Sequence, residues 1–268
     1  MVHQLSLVST IPHSSYVQTI STLQALTGLT SPQPVSTYTL ICKPINKFKP
    51  KFVPGKVNQI EQYFMKCITT WDDLDSFDLA TPYLSDRVST SILFNSDSAA
   101  NTKKIWTLQI SDIPIAGKNQ TCSAQNIFES TLVHTHTASR KDAGDEKDSG
   151  DLDKDSFLQF LEDLGYNSIN QFWIKGVRFF HGDIVIEIFK VFVRDDANKD
   201  SPSDSIPLKL LDESNGFQIK AFINVPKSTD IDLITQGSAE LAKLQDFLKN
   251  LIQLEIPDRI FMDSRVQN

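Results

Sequence analysis

The densest hydrophobic pattern in the chain lies at residues 172–193, FWIKGVRFFHGDIVIEIFKVFV. Two runs rich in Phe, Ile and Val meet at Gly182-Asp183, and glycine supplies the positive φ that a two-residue hairpin turn requires. The pattern therefore predicts a β-hairpin. In the register set by this turn, Arg178 faces Glu187, so that the opposite charges pair across the two strands.

Both faces of the predicted hairpin are apolar. One face carries Phe172, Ile174 and Phe180, and the other carries Trp173, Val177 and Phe179. A strand that is wetted on one side alternates apolar with polar residues, so this hairpin is expected to be covered on both sides. One cover is the protein's own core, and the other is a helix or another chain. The outer apolar face, with Trp173 and Phe179, is therefore a candidate partner-binding surface.

Further strands and helices are predicted along the chain. The strands are expected at residues 4–10, 35–44, 62–71, 105–113, 121–137, around 208 and at 217–225, and the helices at 14–28, 157–164 and 227–254. Many short strands with few helices favour a mainly β (α+β) fold, a single many-stranded antiparallel β-barrel or sandwich with peripheral helices. Residues 1–268 form one predicted domain. Disordered or flexible loops are expected at about 44–60, 85–104, 138–155 and 195–206.

The N-terminal helix has an unusual polar face, because residues 1–42 contain no Asp, Glu, Lys or Arg. The predicted apolar stripe is Tyr16, Val17, Ile20 and Leu23, and the opposite side is Gln18, Ser21, Thr22 and Ala25. Solvated helix faces usually carry charges, whereas small uncharged groups are buried at low cost once hydrogen-bonded. Two interpretations stay open: a Ser/Thr-rich helix that faces water, and a face that docks on a partner. The second makes Gln18, Ser21 and Thr22 candidate partner-binding residues.

Charge is concentrated in one segment. The 268 residues are 40% hydrophobic and 22% charged, as in an ordinary globular protein, and the net charge is −7. Residues 142–155 carry seven acidic and two basic residues, which leaves −2 for the remainder. We therefore expect no overall electrostatic attraction to nucleic acid and no sequence-specific binding to it.

The cysteine pattern points to a reducing compartment. Cys42, Cys67 and Cys122 are odd in number and far apart, which argues against a disulfide framework or a zinc site. No stretch approaches the ~20 apolar residues of a membrane span. The sequence predicts a soluble cytoplasmic or nuclear protein without membrane association.

Ligand-binding patterns occur, and each has a simpler explanation. Residues 151–162 show the oxygen spacing of a calcium loop, but Ser156 replaces the required glycine, and a helix N-terminus explains the same acidic residues. His134 and His136 share a strand face without an obvious third ligand. The lysines and aromatic residues of 43–56 suit single-stranded nucleic acid, although three prolines favour a loop.

The sequence also lacks a catalytic pattern that a barrel would invite. Barrel enzymes that remove phosphates with a divalent metal need carboxylates two residues apart on a strand, so that both reach the lumen. The chain contains no Glu-x-Glu, and Glu187 stands alone among Ile, Phe and Val. We expect a protein without enzymatic activity and without catalytic, metal-binding or cofactor-binding residues. A metal-dependent RNA 5′-phosphatase-like barrel enzyme stays as the alternative.

Several segments resemble the fungal Mediator subunit 18 family. The specific ones are WTLQISDIP at 106–114 and MDSRV at 262–266, and they are accompanied, in the expected order, by VHQLSL at 2–7, ISTL at 20–23, GVRFF at 176–180, AFINV at 221–225 with TDID at 229–232, and PDR at 257–259. The resemblance that these segments carry extends over about half of the chain. Residues 43–104 and 139–155 show no match.

The resemblance implies a many-stranded antiparallel barrel, similar in fold to metal-dependent RNA triphosphatase tunnels but without their activity. It also implies a subunit of the Mediator head module in the nucleus, a coactivator that bridges regulators and RNA polymerase II. The partners it implies are Mediator subunit 20, in a heterodimer, and a C-terminal helix of Mediator subunit 8, as a tether.

Overall fold

A computed structural model describes residues 1–46, 61–71, 78–82, 85–89, 104–117, 120–134, 157–197 and 205–266. In these ranges the strands are β1 Val2–Ile11, β2 Gln33–Pro44, β3 Met65–Thr70, β4 Ser85–Ser89, β5 Lys104–Ser111, β6 Ser123–His134, β7 Tyr166–His181, β8 Ile184–Arg194, β9 Ser205–Leu210 and β10 Phe217–Val225. The helices are α1 Tyr16–Thr27, α2 Phe157–Asp163 and α3 Ile231–Leu248. Among these helices, none has the length and apolar composition of a membrane span.

Eight of the strands close into an antiparallel barrel. Their order is β10-β1-β6-β5-β3-β2-β7-β8, and β8 pairs in turn with β10. Strands β9 and β4 extend from the far end of β8, where residues 192–194 pair with β9. The predicted antiparallel barrel with peripheral helices is confirmed. Closure satisfies the backbone groups that an open sheet would leave unpaired at its edges.

The hairpin adopts the register that the sequence predicts. Gly182 has φ 58° in the turn, and Arg178 lies opposite Glu187. The Arg178 Nε and Nη2 atoms lie 2.9 and 2.5 Å from Glu187 Oε1. A two-residue turn fixes the register of a hairpin, which explains why this pairing was predictable from sequence alone.

Alternation along the strands gives the barrel wall an inward and an outward face. Side chains from six strands converge on one cavity inside the ring: Gln4, Ile41, Lys66, Gln109, Gln125 and Lys220. In each strand, the residues directly before and after the inward-facing residue point outward. Leu5 and Leu7, for example, are fully buried although they lie on the outside of the wall.

Helices bury the outward face. The cluster under α1 and α3 joins wall residues to helical residues, among them Leu5, Ile188, Ile219, Leu23, Leu241 and Leu244. A second cluster lies under α2, with Tyr38, Leu40, Trp106, Trp173, Phe157 and Leu161. Within it, the rings of Phe157 and Trp106 stack with centroids 3.8 Å apart. Each fully buried side chain of this size stabilises the fold by about 1.5–3 kcal/mol.

The prediction that Trp173 and Phe179 form an outer, partner-binding face of the hairpin is wrong. Trp173 and Phe179 are fully buried, Trp173 in the cluster under α2 and Phe179 in the cluster under α1 and α3. The residues of the opposite face, such as Ile174 and Phe180, share the inward side of the wall with Glu187 and Lys220. The protein therefore covers most of both faces itself, because the barrel curls one inward and the helices pack over the other, although Phe180 stays 44% exposed.

Other elements differ from the sequence expectations in their bounds. Val17 was expected in the buried stripe of α1 and is 59% exposed, because Thr19 turns toward the core instead. Helix α3 ends at Leu248, so that the chain can turn and bury Leu254. Strand β4 lies in a segment expected to be a loop.

Several expectations fall outside the described residues. These are the parts of the predicted loops at 47–60, 90–103, 138–155 and 198–204, with the lysines after residue 46, and in addition His136 and Ser156. His134 is the last residue of β6.

Substitution of Gly176 by alanine should strain the barrel wall. Gly176 lies in β7 between Val35 of β2 and Phe189 of β8, and an added Cβ would lie 2.4 Å from the Ile188 carbonyl oxygen. We expect the Gly176→Ala variant to lose about 1–3 kcal/mol of unfolding free energy in urea denaturation. Ser130→Ala, at an exposed position of β6, serves as the control and should stay within about 0.5 kcal/mol of wild type. Equal stability of the two variants would contradict the close approach.

Phe179 and Phe180 provide a matched test of the corrected hairpin. Phe179 is fully buried, whereas Phe180 is 44% exposed. We expect Phe179→Ala to lower the free energy of unfolding by about 3–5 kcal/mol. Phe180→Ala should cost roughly 1 kcal/mol, which is typical of a partly exposed site. Chemical denaturation measures both, and a mild effect at Phe179 would restore its assignment to a partner surface.

Candidate partner-binding surfaces and the barrel lumen

The outer face of α1 is uncharged, and its hydroxyl groups bond within the helix. Ser21 Oγ donates to the Val17 carbonyl oxygen at 3.0 Å, and Thr22 Oγ1 donates to the Gln18 carbonyl oxygen at 2.9 Å. Gln18 and Ser21 are exposed, and Thr22 is half-buried. A partner that covered these hydroxyl groups would leave no donor unpaired, which keeps the cost of their burial low. The exposed Val17 adds apolar area to the same helix.

An apolar groove of about 500 Å³ lies where α1, α3 and the β7–β8 turn meet. Its apolar lining is Leu26, Ile184, Leu244 and Phe247. Phe247 is 64% exposed, although large aromatic side chains are usually buried. Glu240 and Lys243 supply charges beside it. A groove with an apolar floor and charged margins has the composition of a helix-binding surface.

The cavity inside the barrel has a volume of about 340 Å³ and contains two lysines. Lys66 comes from β3 and Lys220 from β10, and these strands lie on opposite sides of the ring. Burial lowers the pKa of Lys66. The pKa of Lys220 is lowered to about 8, mainly by burial and also by the charge of Lys66, against the opposing effects of Glu187 and Glu129.

The carboxylates on the inward face are already bonded. Glu187 accepts from Arg178, and Glu129 Oε1 accepts from Gln109 Nε2 at 2.8 Å. Among the described residues, no three His, Cys, Asp or Glu side chains come close enough together to hold a metal ion. A divalent metal that activates water needs such a group of open oxygen or nitrogen ligands. The polar side chains that line the described part of the lumen are instead mostly amides and ammonium groups.

The C-terminal segment closes one end of this cavity. Residues 262–264 line it, and Ser264 Oγ donates to the Ser111 carbonyl oxygen. Arg259 Nε donates to the Pro114 carbonyl oxygen at 2.7 Å. Residues 259 and 264 therefore tie the PDR and MDSRV segments to the end of β5 and the loop after it. Phe261 borders the cavity and is 89% exposed.

Sequence reasoning missed the two lumen lysines. Each lies in a strand of otherwise apolar or uncharged residues, and the one available signal is alternation, which places Lys220 on the face opposite Ile219 and Ala221. Alternation separates two faces without showing which of them lies inside a barrel. Lys66 and Lys220 border the same cavity only because the ring of strands closes. The sequences of β3 and β10 do not by themselves predict that closure.

Comparison with known proteins identifies the family. A family model described as Med18 protein matches residues 3–265. Proteins named Mediator of RNA polymerase II transcription subunit 18 are similar over nearly the whole chain. The protein from Debaryomyces hansenii is 54% identical, with 99% of both chains covered. The protein from Scheffersomyces stipitis is 52% identical, with 100% of this chain and 99% of that protein covered.

A solved structure shares the fold. A chain in the structure of the Schizosaccharomyces pombe Mediator head module matches with a TM-score of 0.62 and 13% sequence identity, over 95% of this chain and 98% of that chain. Identity this low carries information on the fold alone. With the family model and the two relatives spanning nearly all residues, the chain belongs to the Mediator subunit 18 family.

Proposed function

We propose that this protein is a subunit of the Mediator head module in the nucleus and acts as a coactivator that bridges regulators and RNA polymerase II. The observation that carries the proposal is the family match over residues 3–265. The relatives are named as subunits of a transcription complex, and the chain covers 99% of their length. The proposed role is thus that of a complex subunit rather than of an enzyme.

Within that role, the protein pairs with Mediator subunit 20 and is tethered by a C-terminal helix of Mediator subunit 8. Two features support such contacts. On the outer face of α1, the hydroxyl groups of Ser21 and Thr22 can be covered without leaving their donors unpaired, and the exposed amide of Gln18 beside them can bond to a partner. The groove beside Phe247 offers exposed apolar surface of the kind that an amphipathic helix covers. Trp173 and Phe179 are fully buried and stabilise the fold instead of contacting a partner.

The side chains of the lumen favour a scaffold function over a phosphatase function. Metal-dependent removal of phosphate requires several free carboxylates around a cation. In the described part of the lumen, Glu187 is bonded to Arg178, and Lys66 and Lys220 supply positive charge. The charge of a bound divalent metal would be opposed by those two ammonium groups. The net charge of −7 also argues against nucleic acid as a partner.

Thr22 and Thr235 provide a matched pair for testing the α1 surface. Each hydroxyl bonds a carbonyl oxygen four residues earlier in its helix, Thr22 in α1 and Thr235 in α3. We expect Thr22→Arg to reduce recovery of Mediator subunits in co-purification roughly tenfold, because a charged side chain would be buried unpaired at the contact. Thr235→Arg, at the exposed control position, should leave recovery unchanged.

The stability of the isolated variants separates binding from folding. Thermal unfolding of both arginine variants should match wild type, because neither position lies in the core. Equal recovery of partners by the two variants would remove α1 from the interface. Failure of the wild-type chain to co-purify with any Mediator subunit from nuclear extract would overturn the proposed function itself.

A further inference from the structure

We propose that the barrel lumen binds a small multivalent oxyanion, of the phosphate or sulfate type, between Lys66 and Lys220. Both side chains border one cavity of about 340 Å³ and approach it from opposite sides of the ring. Two ammonium groups that border the same cavity repel each other, and their partial burial strengthens the repulsion. An anion between them would turn that repulsion into two attractive contacts.

The lysines are the cations in this cavity with free hydrogen-bonding capacity. Within the described residues, Lys66 Nζ has no hydrogen-bond or ion-pair partner, and Lys220 Nζ makes one bond, to Gln4 Oε1 at 2.7 Å. An ammonium group can donate three hydrogen bonds. Several donor positions therefore remain open toward the cavity.

Neighbouring carboxylates offset the charge of the pair only in part and form no salt bridge with it. Glu187 accepts two bonds from Arg178, and Glu129 accepts from Gln109. Asp263, at the rim, is held by Arg265 with an Nη2–Oδ2 distance of 2.7 Å. None of the three forms a salt bridge with Lys66 or Lys220 within the described part of the chain. With both lysines protonated, Lys66, Lys220 and Arg178 carry three positive charges against the two negative charges of Glu187 and Glu129, which leaves one positive charge for a ligand to balance.

The rest of the lining favours an anion held mainly by charge. The amide nitrogens of Gln4, Gln109 and Gln125 already donate to protein oxygens. Recognition would thus rest on the two ammonium groups, which suit a compact anion that carries two or more charges. The cavity borders the exposed Phe261, so an ion can reach it from solvent beside the C-terminal segment. The site is proposed for binding alone, and no bond is formed or broken there.

Isothermal titration of the full chain tests the site. Sulfate and inorganic phosphate are each titrated at constant ionic strength into wild type, Lys66→Gln, Lys220→Gln and the control Lys249→Gln, whose lysine is exposed on the outer surface. Wild type should bind one oxyanion. Each lumen variant should bind roughly tenfold more weakly or worse, since charge-assisted bonds are lost. The control should match wild type.

Two further measurements keep the test decisive if a glutamine variant fails to fold. Lys66→Arg retains the charge and should retain binding. Sulfate affinity should fall from about pH 7 to about pH 9 as Lys220, with its pKa near 8, loses its proton in surroundings that also contain Lys66, Glu187, Glu129 and Arg178. Sulfate keeps its charge over this range, so the protein alone causes the change.

Either of two results would overturn the proposal: absence of sulfate and phosphate binding by wild type, or equal binding by the lumen variants and the control. Neither result bears on membership of the Mediator head module, which the co-purification of partners tests separately.

Discussion

Pairing of β8 with β10 is the interaction on which the rest of the structure depends. It joins the two ends of the row of strands into a ring of eight. In a closed ring every strand has an inward and an outward face. The side chains of the two faces meet different surroundings, and apolar side chains on either face must be covered separately. The outward face is apolar and requires helices, whereas the inward face surrounds water-accessible space and tolerates amides and charges.

This division of the wall decides where partners can bind. Ring closure leaves few strand edges for a partner to extend, and α1, α2 and α3 already cover the apolar outer wall. The surfaces left for contact are the outer sides of those helices and the grooves between them. Val17 and Phe247 show the consequence, because both are strongly exposed while their helices bury other residues.

Because the inward face contributes little to holding the strands together, its side chains can change while the fold stays the same. A barrel wall can carry carboxylates, amides or lysines on its inward face, since the strands are held by backbone hydrogen bonds and by the outer clusters. A TM-score of 0.62 at 13% identity to a chain of the head-module structure illustrates how many different sequences support this ring. What the lumen binds is therefore set by a few side chains, here Lys66 and Lys220.

The sequence alone determined the local structure. A Gly182-Asp183 turn between two apolar runs fixed the hairpin and the Arg178–Glu187 pair, since hairpin register follows from turn length. Helical periodicity located α1 and α3, although α3 was expected over residues 227–254 and spans Ile231–Leu248, with the Asp230 side chain as its N-cap. The WTLQISDIP and MDSRV segments carry the family resemblance in the sequence alone.

Only the tertiary structure decided which face of each strand lies inside. Alternation gave the hairpin two apolar faces, and curvature alone placed Trp173 and Phe179 under helices and Phe180 toward the lumen. Ring closure likewise brought Lys66 and Lys220 to one cavity. Such contacts depend on how distant strands pair, and the free energy of that pairing is not encoded in any single segment.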